Sequence, residues 1–494
     1  MRFPSLRDSF SAVTVCAVVT AIVYAPIFWG SVEFVDSLIL SLLALIAFSF
    51  WIVGTILNKT DTPLANSKQN SAAIGGRAVL YALGISFAAL VFFQIIPLWQ
   101  PAVRILSPTK WMLCSKLKIT GAASTLSVNP YTTEMHLYRV IGYIALFFVV
   151  SKVAQSRKVA LTFAGAITTV AAAAAFYGLI QYFTNNQLPS LYVKKYYLDR
   201  ASGPFVNPNH FSGFLEICLP ISLSLLFISK RPRAPSKELF LAERARLFLL
   251  DLSQRPYRLI LLGVVVLLSL GIVFSMSRLG ILSAAVSLLV FAAVVAAGSA
   301  RSRIARLSAV FGVTGVIIGA NILMGLNEVS KRYSVLFDKD VGWRSGVWNW
   351  SLKVALDYPV VGTGLGTFQF VSPMYKTPET NAGQFDEAHN DYLNLWSDTG
   401  TVGLLLGAAF IVVWLAVIVR RMGGLKRHQN FLLAGCVSSL FAILVHSIGD
   451  FNLQIPSNAA YLAIILGIGV ALAEKSHDIR ATAPATELPA RGVK

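Results

Sequence analysis

The sequence predicts an all-α polytopic membrane protein, and three observations carry that prediction. Of 494 residues, 55% are apolar or aromatic and only 13% are charged, about half the charged share of a soluble globular chain. Mean hydropathy is +0.66. Twelve apolar stretches are long enough to cross a hydrocarbon core, for which about 20 residues suffice. Finally, the basic residues fall on alternate connections between those stretches. A soluble enzyme, a secreted disulfide scaffold and a disordered regulator are excluded.

The predicted spans are 10–29, 34–57, 78–98, 137–151, 159–183, 209–229, 257–276, 279–298, 307–326, 401–419, 431–449 and 458–473. The first imitates a signal peptide, with Arg2 and Arg7 ahead of an apolar run. Pro26 follows the candidate cleavage residue Ala25 and many spans come after, so it reads as an uncleaved signal anchor. The connections on one side carry 27 of the 42 basic and 8 of the 23 acidic residues. The net charge of +19 therefore sits on that face, and the other face sums to zero. Lys and Arg mark the cytoplasmic side, so both termini are expected there. Clusters such as Lys230-Arg231-Pro232-Arg233, Arg301-Ser302-Arg303 and Arg420-Arg421 are topology signals. They account for a pI near 9.9 without nucleic-acid binding.

Three loops on the opposite, outer face are long: 99–136, 184–208 and 327–400. The expected organisation is one transmembrane domain, 1–473, with 327–400 as a large periplasmic loop carrying short helices. The segment 474–494, with Pro484, Pro489 and Gly492, reads as a disordered cytoplasmic tail. No internal repeat of the kind built into many transporters is evident. Cys16, Cys114, Cys218 and Cys436 lack CxxC spacing, and the six histidines lack HExxH spacing. Neither a disulfide framework nor a metal cluster is expected.

Chemistry-bearing residues gather on the outer face. Ala388 to Trp396 reads as a short helix capped by Asp386 and ended by Gly400. His389 would lie in its first turn. There the helix dipole disfavours an imidazolium while Glu387 and Asp391 favour it, a balance suited to a general base. An interfacial histidine satisfied by a carboxylate is the plainer account. Trp343, Val347, Trp350 and Val354 share one helical stripe, which predicts a helix on the membrane surface with Arg344 near its start. An aromatic anchor with a snorkelling arginine explains the tryptophans equally well. Gly362-Thr363-Gly364-Leu365-Gly366 is not GxGxxG and has no βαβ context; it fits a turn that lets the backbone pass close to something, with a plain loop the simpler account.

Arg278, between two spans with almost no loop, is costly so near hydrocarbon unless paired or solvated. Its planar fork suits phosphate oxygens, though a hairpin-end residue reaching the headgroups would look the same. After Pro208, Asn209 can cap the sixth span or present its amide to a sugar or phosphate. Glu216, about two turns inside that span, needs a partner, such as an outer-side basic residue. In His446-Ser447-Ile448-Gly449-Asp450-Phe451-Asn452, Asp450 can pair with an outer arginine, orient His389 or simply close a turn.

Together these segments resemble the O-antigen ligase and polymerase superfamily of bacterial cell-envelope glycosyltransferases. The resemblance covers most of 200–450. It rests on Asn209 and its neighbours, Ser277-Arg278, Arg344 through Gly366, and His389-Asn390-Asp391-Tyr392-Leu393 with Gly400-Thr401-Val402-Gly403-Leu404. It implies about twelve helices and a periplasmic loop shaping an outward cavity in the bacterial inner membrane. The implied partners are membrane lipids, an undecaprenyl-diphosphate-linked glycan and an acceptor, either lipid A core or a second lipid-linked repeat. Protein-glycosylating members use Ser or Thr. No cofactor is implied, and the ligases are metal-independent and inverting. Position by position, His389 matches the family histidine, and Arg278 and Arg344 match the arginines of the donor diphosphate.

The leading expectation is thus a membrane glycosyltransferase with His389 as general base, Arg278 and Arg344 on the diphosphate, and Asn209, Asn390, Asp391, Tyr392 and Asp450 in support. A lipid-linked sugar transporter is the rival reading, but its charges should line the span centres, which here are nearly charge-free. A scaffold protein is a third.

Overall fold

A computed structural model describes residues 6–59, 71–118, 124–185, 194–228, 256–297, 340–377, 385–421 and 427–481. Every regular element among them is helical. Eleven helices are long and apolar enough to cross a membrane. They are α1 (Leu6–Ile27), α2 (Phe34–Lys59), α3 (Ser71–Ile95), α6 (Pro130–Val153), α7 (Arg157–Phe183), α8 (Pro208–Ile228), α9 (Pro256–Phe274), α10 (Arg278–Ala297), α13 (Asp391–Val419), α14 (Arg427–His446) and α15 (Pro456–Ala481). The shorter α4 (Gln100–Leu106), α5 (Pro108–Lys116), α11 (Asp340–Asp357) and α12 (Phe368–Val371) belong to connections. The expected span 307–326 and the clusters at 230–233 and 301–303 lie outside the described residues. The same is true of 482–494. The apolar membrane-crossing part of α15 ends at Glu474, beside the expected edge at 473, and the helix itself continues through Ala481, so 474–481 is helical and not the start of a disordered tail.

Local chemistry fixes several helix starts. Proline opens α5, α6, α8, α9 and α15, where its missing N–H is no loss and its fixed φ is already helical. Ahead of α6 the Asn129 side chain accepts from the Thr132 amide at 3.2 Å. Ahead of α8, Asn207 Oδ1 accepts from the Asn209 amide at 2.8 Å. The cap is therefore Asn207, not Asn209 as the sequence suggested. The first side-chain acceptor that the turn geometry can use lies before the proline, whereas Asn209 is already inside the helix.

The core is centred on α8. Its most apolar stretch is 89% buried, against 17% for α13, so α8 is surrounded by protein and α13 lies at the periphery. Helices close on one another through small residues, as expected where lipid supplies no hydrophobic drive for association. Gly435 of α14 leaves no room for a Cβ against the Ser224 hydroxyl and the Pro220 carbonyl of α8. Ser439 Oγ donates to the Ile217 carbonyl at 2.6 Å, and Ser224 Oγ to the Phe431 carbonyl at 2.7 Å. At one end of the bundle Arg77 of α3 pairs with Glu474 of α15, which also accepts from Gln155 at 2.8 Å. The titratable residues described below meet at the opposite end.

At that opposite end the large loop builds its own small core. Val347 and Trp350 of α11 pack with Phe368 and Ala388, and Val354 packs with Tyr358 and Val371. The stripe therefore turns into the loop, where the sequence had pointed it at the membrane surface. Its apolar face finds a closer partner in α12 and the segment before α13. The side chain of Trp343 is outside the described set.

The glycine turn passes close to the start of α13. Gly362 has φ +72°, and a Cβ there would lie 2.3 Å from the carbonyl carbon of Asp398. The Thr363 amide donates to the Ser397 carbonyl at 3.0 Å and the Gly364 amide to that of Asp398 at 2.9 Å. Gln94 of α3 ties the two segments, donating to the carbonyls of Val361 and Asp398 and accepting from the Leu365 amide. Gly362→Ala should be destabilising, by about 1–2 kcal/mol for the left-handed backbone and about 1–3 kcal/mol more for overpacking. A thermal melt of the detergent-solubilised protein that matches wild type would contradict this.

Candidate active site

Gly400 has non-helical torsions (φ 63°, ψ −171°) and divides α13 into a short first segment and the span proper. The short helix read from the sequence therefore exists, but it starts later than expected. Asn390, not Asp386, is its N-cap, accepting from the amides of Tyr392 and Leu393 at 3.0 Å each. His389 precedes the helix and holds a left-handed backbone, φ 49°. That conformation is uncommon for a residue with a Cβ and survives where neighbours over-determine it.

The neighbours are identifiable. The His389 carbonyl accepts from the Trp348 indole of α11 at 3.1 Å. On one side of it the Ala388 amide donates to Asn394 Oδ1 at 2.6 Å. On the other, the Asp391 amide donates to the carbonyls of Ser447 and Asp450. Asn390 Nδ2 donates to the Ile448 carbonyl at 2.8 Å, and the Tyr392 hydroxyl to that of Leu444 at 2.7 Å. Asp391 Oδ2 accepts from the Ser447 hydroxyl at 2.6 Å and the Leu453 amide at 3.1 Å. Asn390, Asp391 and Tyr392 thus stitch the start of α13 to residues 444–453.

The stitching brings His389 to Asp450. His389 Nδ1 lies 3.6 Å from Asp450 Oδ1. The same carboxylate faces two further imidazoles: His210 Nε2 at 3.8 Å from Oδ1 and His446 Nε2 at 4.0 Å from Oδ2. The edges of His210 and His389 flank the Phe451 ring, with centroids 4.6 and 4.7 Å away. Asp450 is fully buried, whereas the His389 side chain keeps 18% of its surface. Of this pair only the imidazole is open to an incoming group. Burial pushes the Asp450 carboxyl up, but His389 facing it and the positive potential of the three imidazoles outweigh burial and hold it well below the usual carboxylate range. Glu387 goes the other way, pushed well above its ordinary value by burial and by Asp398.

Glu216 finds its partner in His446 rather than in an arginine. His446 Nδ1 lies 3.0 Å from both carboxylate oxygens, and both side chains are fully buried. Sequence spacing assigned no role to His210 or His446, because their partners come from other helices. The usable signal was ionisable residues near the ends of otherwise apolar spans.

The two arginines stand at the same end of the bundle. Arg278 opens α10, and its neighbour Leu279 packs on Gly449; Trp348, one turn after Arg344 in α11, approaches the same glycine. Arg278 and Arg344 thus lie one residue and one helical turn, respectively, from side chains that approach Gly449, the residue before Asp450. Both side chains are half-buried. Asn209, half-buried, sits in the first turn of α8 beside His210. Among the described residues no group of three or more His, Cys, Asp or Glu is arranged to hold a metal ion.

Residues 263–408 match the family model described as O-antigen ligase. The match supports the O-antigen ligase/polymerase superfamily. No curated protein matches the chain. The matched segment contains Arg278, Arg344, the glycine turn and His389, while His210, Glu216, His446 and Asp450 lie outside it. It supports a ligase- or polymerase-type glycosyltransferase role in general, with lipid-linked glycan substrates.

Proposed function

We propose that the protein transfers a glycan from an undecaprenyl-diphosphate donor to an acceptor hydroxyl at the periplasmic face of the bacterial inner membrane. The supporting observation is an accessible imidazole, His389, backed by the buried carboxylate of Asp450 at 3.6 Å, at the end of the bundle where Arg278 and Arg344 also stand. The asymmetry of Lys and Arg puts that end outside and both termini in the cytoplasm.

In this reading His389 removes the proton of the acceptor hydroxyl as the oxygen attacks the anomeric carbon. Asp450 stabilises the imidazolium that forms. The bond to the diphosphate oxygen breaks on the opposite face of the sugar, which inverts the anomeric configuration. Diphosphate is a good leaving group and needs no general acid. Arg278 and Arg344 hold the charge that builds on it. Asn209 borders the site, and Asn390, Asp391 and Tyr392 keep His389 in place. The base, the two guanidiniums and the activated donor supply each group that the step requires, with no metal or other cofactor.

The test is reconstitution of the purified full-length protein in lipid vesicles with an undecaprenyl-diphosphate-linked glycan. Lipid A core and a second lipid-linked repeat serve as alternative acceptors, with and without a chelator. Consumption of donor and glycosylation of one acceptor in the presence of chelator is expected. Abolition by the chelator would overturn the metal-free mechanism. Glycan movement across the vesicle that persists in His389→Ala, with no transfer to any acceptor, would overturn the enzyme in favour of a transporter.

A further inference from the structure

We infer that Glu216 and His446 form a buried positioning pair that acts on His389 through Asp450, a role resting on the proposal that His389 is the base. Glu216 lies eight residues into α8, about 12 Å below the helix start, and its side chain is fully buried. A carboxyl group at such a depth is costly, and an apolar residue of similar volume would often be neutral or stabilising in its place. What Glu216 does there is specific. Both its oxygens lie 3.0 Å from His446 Nδ1, which fixes that ring's orientation and aims Nε2 at Asp450 Oδ2, 4.0 Å away. An imidazole set between two carboxylates can donate from both nitrogens. His446 Nε2 faces Oδ2 across 4.0 Å as an ion-pair partner and not as a hydrogen-bond donor, while Oδ1 faces His389 and His210.

Two helices and one turn thus converge on a single carboxylate. Rotating Asp450 would change its distance to all three imidazoles at once. Its own neighbour contributes to the same restraint, since the Phe451 amide donates to Oδ1 at 2.9 Å. Glu216 and His446 touch neither the acceptor nor the donor in this arrangement, so they are positioning residues. The carboxylate facing His389 is Asp450, which also faces His210 and His446. Glu216 stands behind His446, Glu387 and Asp391 flank His389 in the chain, Arg278 and Arg344 stand at the same end of the bundle, and neutralising the pair changes this set of charges.

The experiment compares wild type, Glu216→Gln, His446→Gln and the double variant, all full-length and monodisperse in detergent. One readout is the kcat–pH profile of glycan transfer. The other is independent of activity: the rate at which diethyl pyrocarbonate acylates His389, followed by mass spectrometry across pH. Each single variant should lower kcat by about 10-fold or more with donor KM within about twofold. It should also move the midpoint of His389 acylation by more than about half a pH unit. Because the pair acts as a unit, the double variant should cost no more than the worse single one. An acylation midpoint that stays at the wild-type value in both single variants overturns the inference, as does a kcat loss in the double variant equal to the product of the singles. If His389→Ala abolishes transfer while Glu216→Gln is silent, the positioning pair alone fails. If His389→Ala retains wild-type transfer, the proposed base itself fails.

Discussion

Replacing His389 is expected to lower glycan transfer by about 10²–10⁴-fold, the usual contribution of a positioned general base. The loss should fall on kcat, because the donor is held elsewhere and its KM need not change. The choice of variant matters. His389 holds φ 49°, a conformation in which alanine adds strain but asparagine is tolerated. His389→Asn therefore separates chemistry from backbone. Both variants should be equally inactive, and His389→Asn should melt near wild type because its carbonyl can still accept from Trp348. Transfer assays on purified protein with a lipid-linked glycan decide the matter. Activity within a few-fold of wild type in His389→Asn would remove the base from the mechanism.

Arg278→Ala and Arg344→Ala should each cost about 10²–10³-fold, the range found when one donor to a developing negative charge is removed. Here the pattern differs from that of His389. A diphosphate is already charged before the bond breaks, so donor KM should rise as kcat falls. Lysine restores the charge but not the planar fork, and Arg344→Lys and Arg278→Lys should recover only part of the rate. The measurement is steady-state transfer against donor concentration for the alanine and lysine series. Unchanged donor KM and kcat in both alanine variants would show that the guanidiniums serve the fold or the headgroup region and not the donor.

The segment carrying His389 shows why some of the site was legible and some was not. The stop of its helix was readable because a glycine break is local: Gly400 does end the first segment. The cap, by contrast, was placed at Asp386 and not at Asn390, which several nearby capping residues made ambiguous. The glycine-rich 362–366 does pass close to another backbone. The partner of that turn, Asp398–Thr399, was not readable, since contact across more than 30 residues leaves no periodic mark. The stripe of Val347, Trp350 and Val354 is one buried face, and its neighbours are α12 and the segment before α13. An apolar stripe reports that it must be buried but not what buries it. The same limit applied to Glu216, whose need for a partner was evident from its depth while the identity of that partner was not.

Hydropathy alone determined that this chain is a helical membrane protein, because the absence of water in the bilayer core forces helices wherever an apolar run must cross it. Position in outer-face motifs, together with the family resemblance, also singled out a histidine, two arginines and an aspartate as candidates. Only the tertiary structure decided that His389, His210 and His446 share one carboxylate and that Glu216 stands behind them. Those four side chains come from α8, the end of α14 and the segment before α13. Side-chain packing between helices, unlike the hydrogen-bonding of each helix to itself, is set by shape across the whole bundle and is not encoded within any one stretch of sequence.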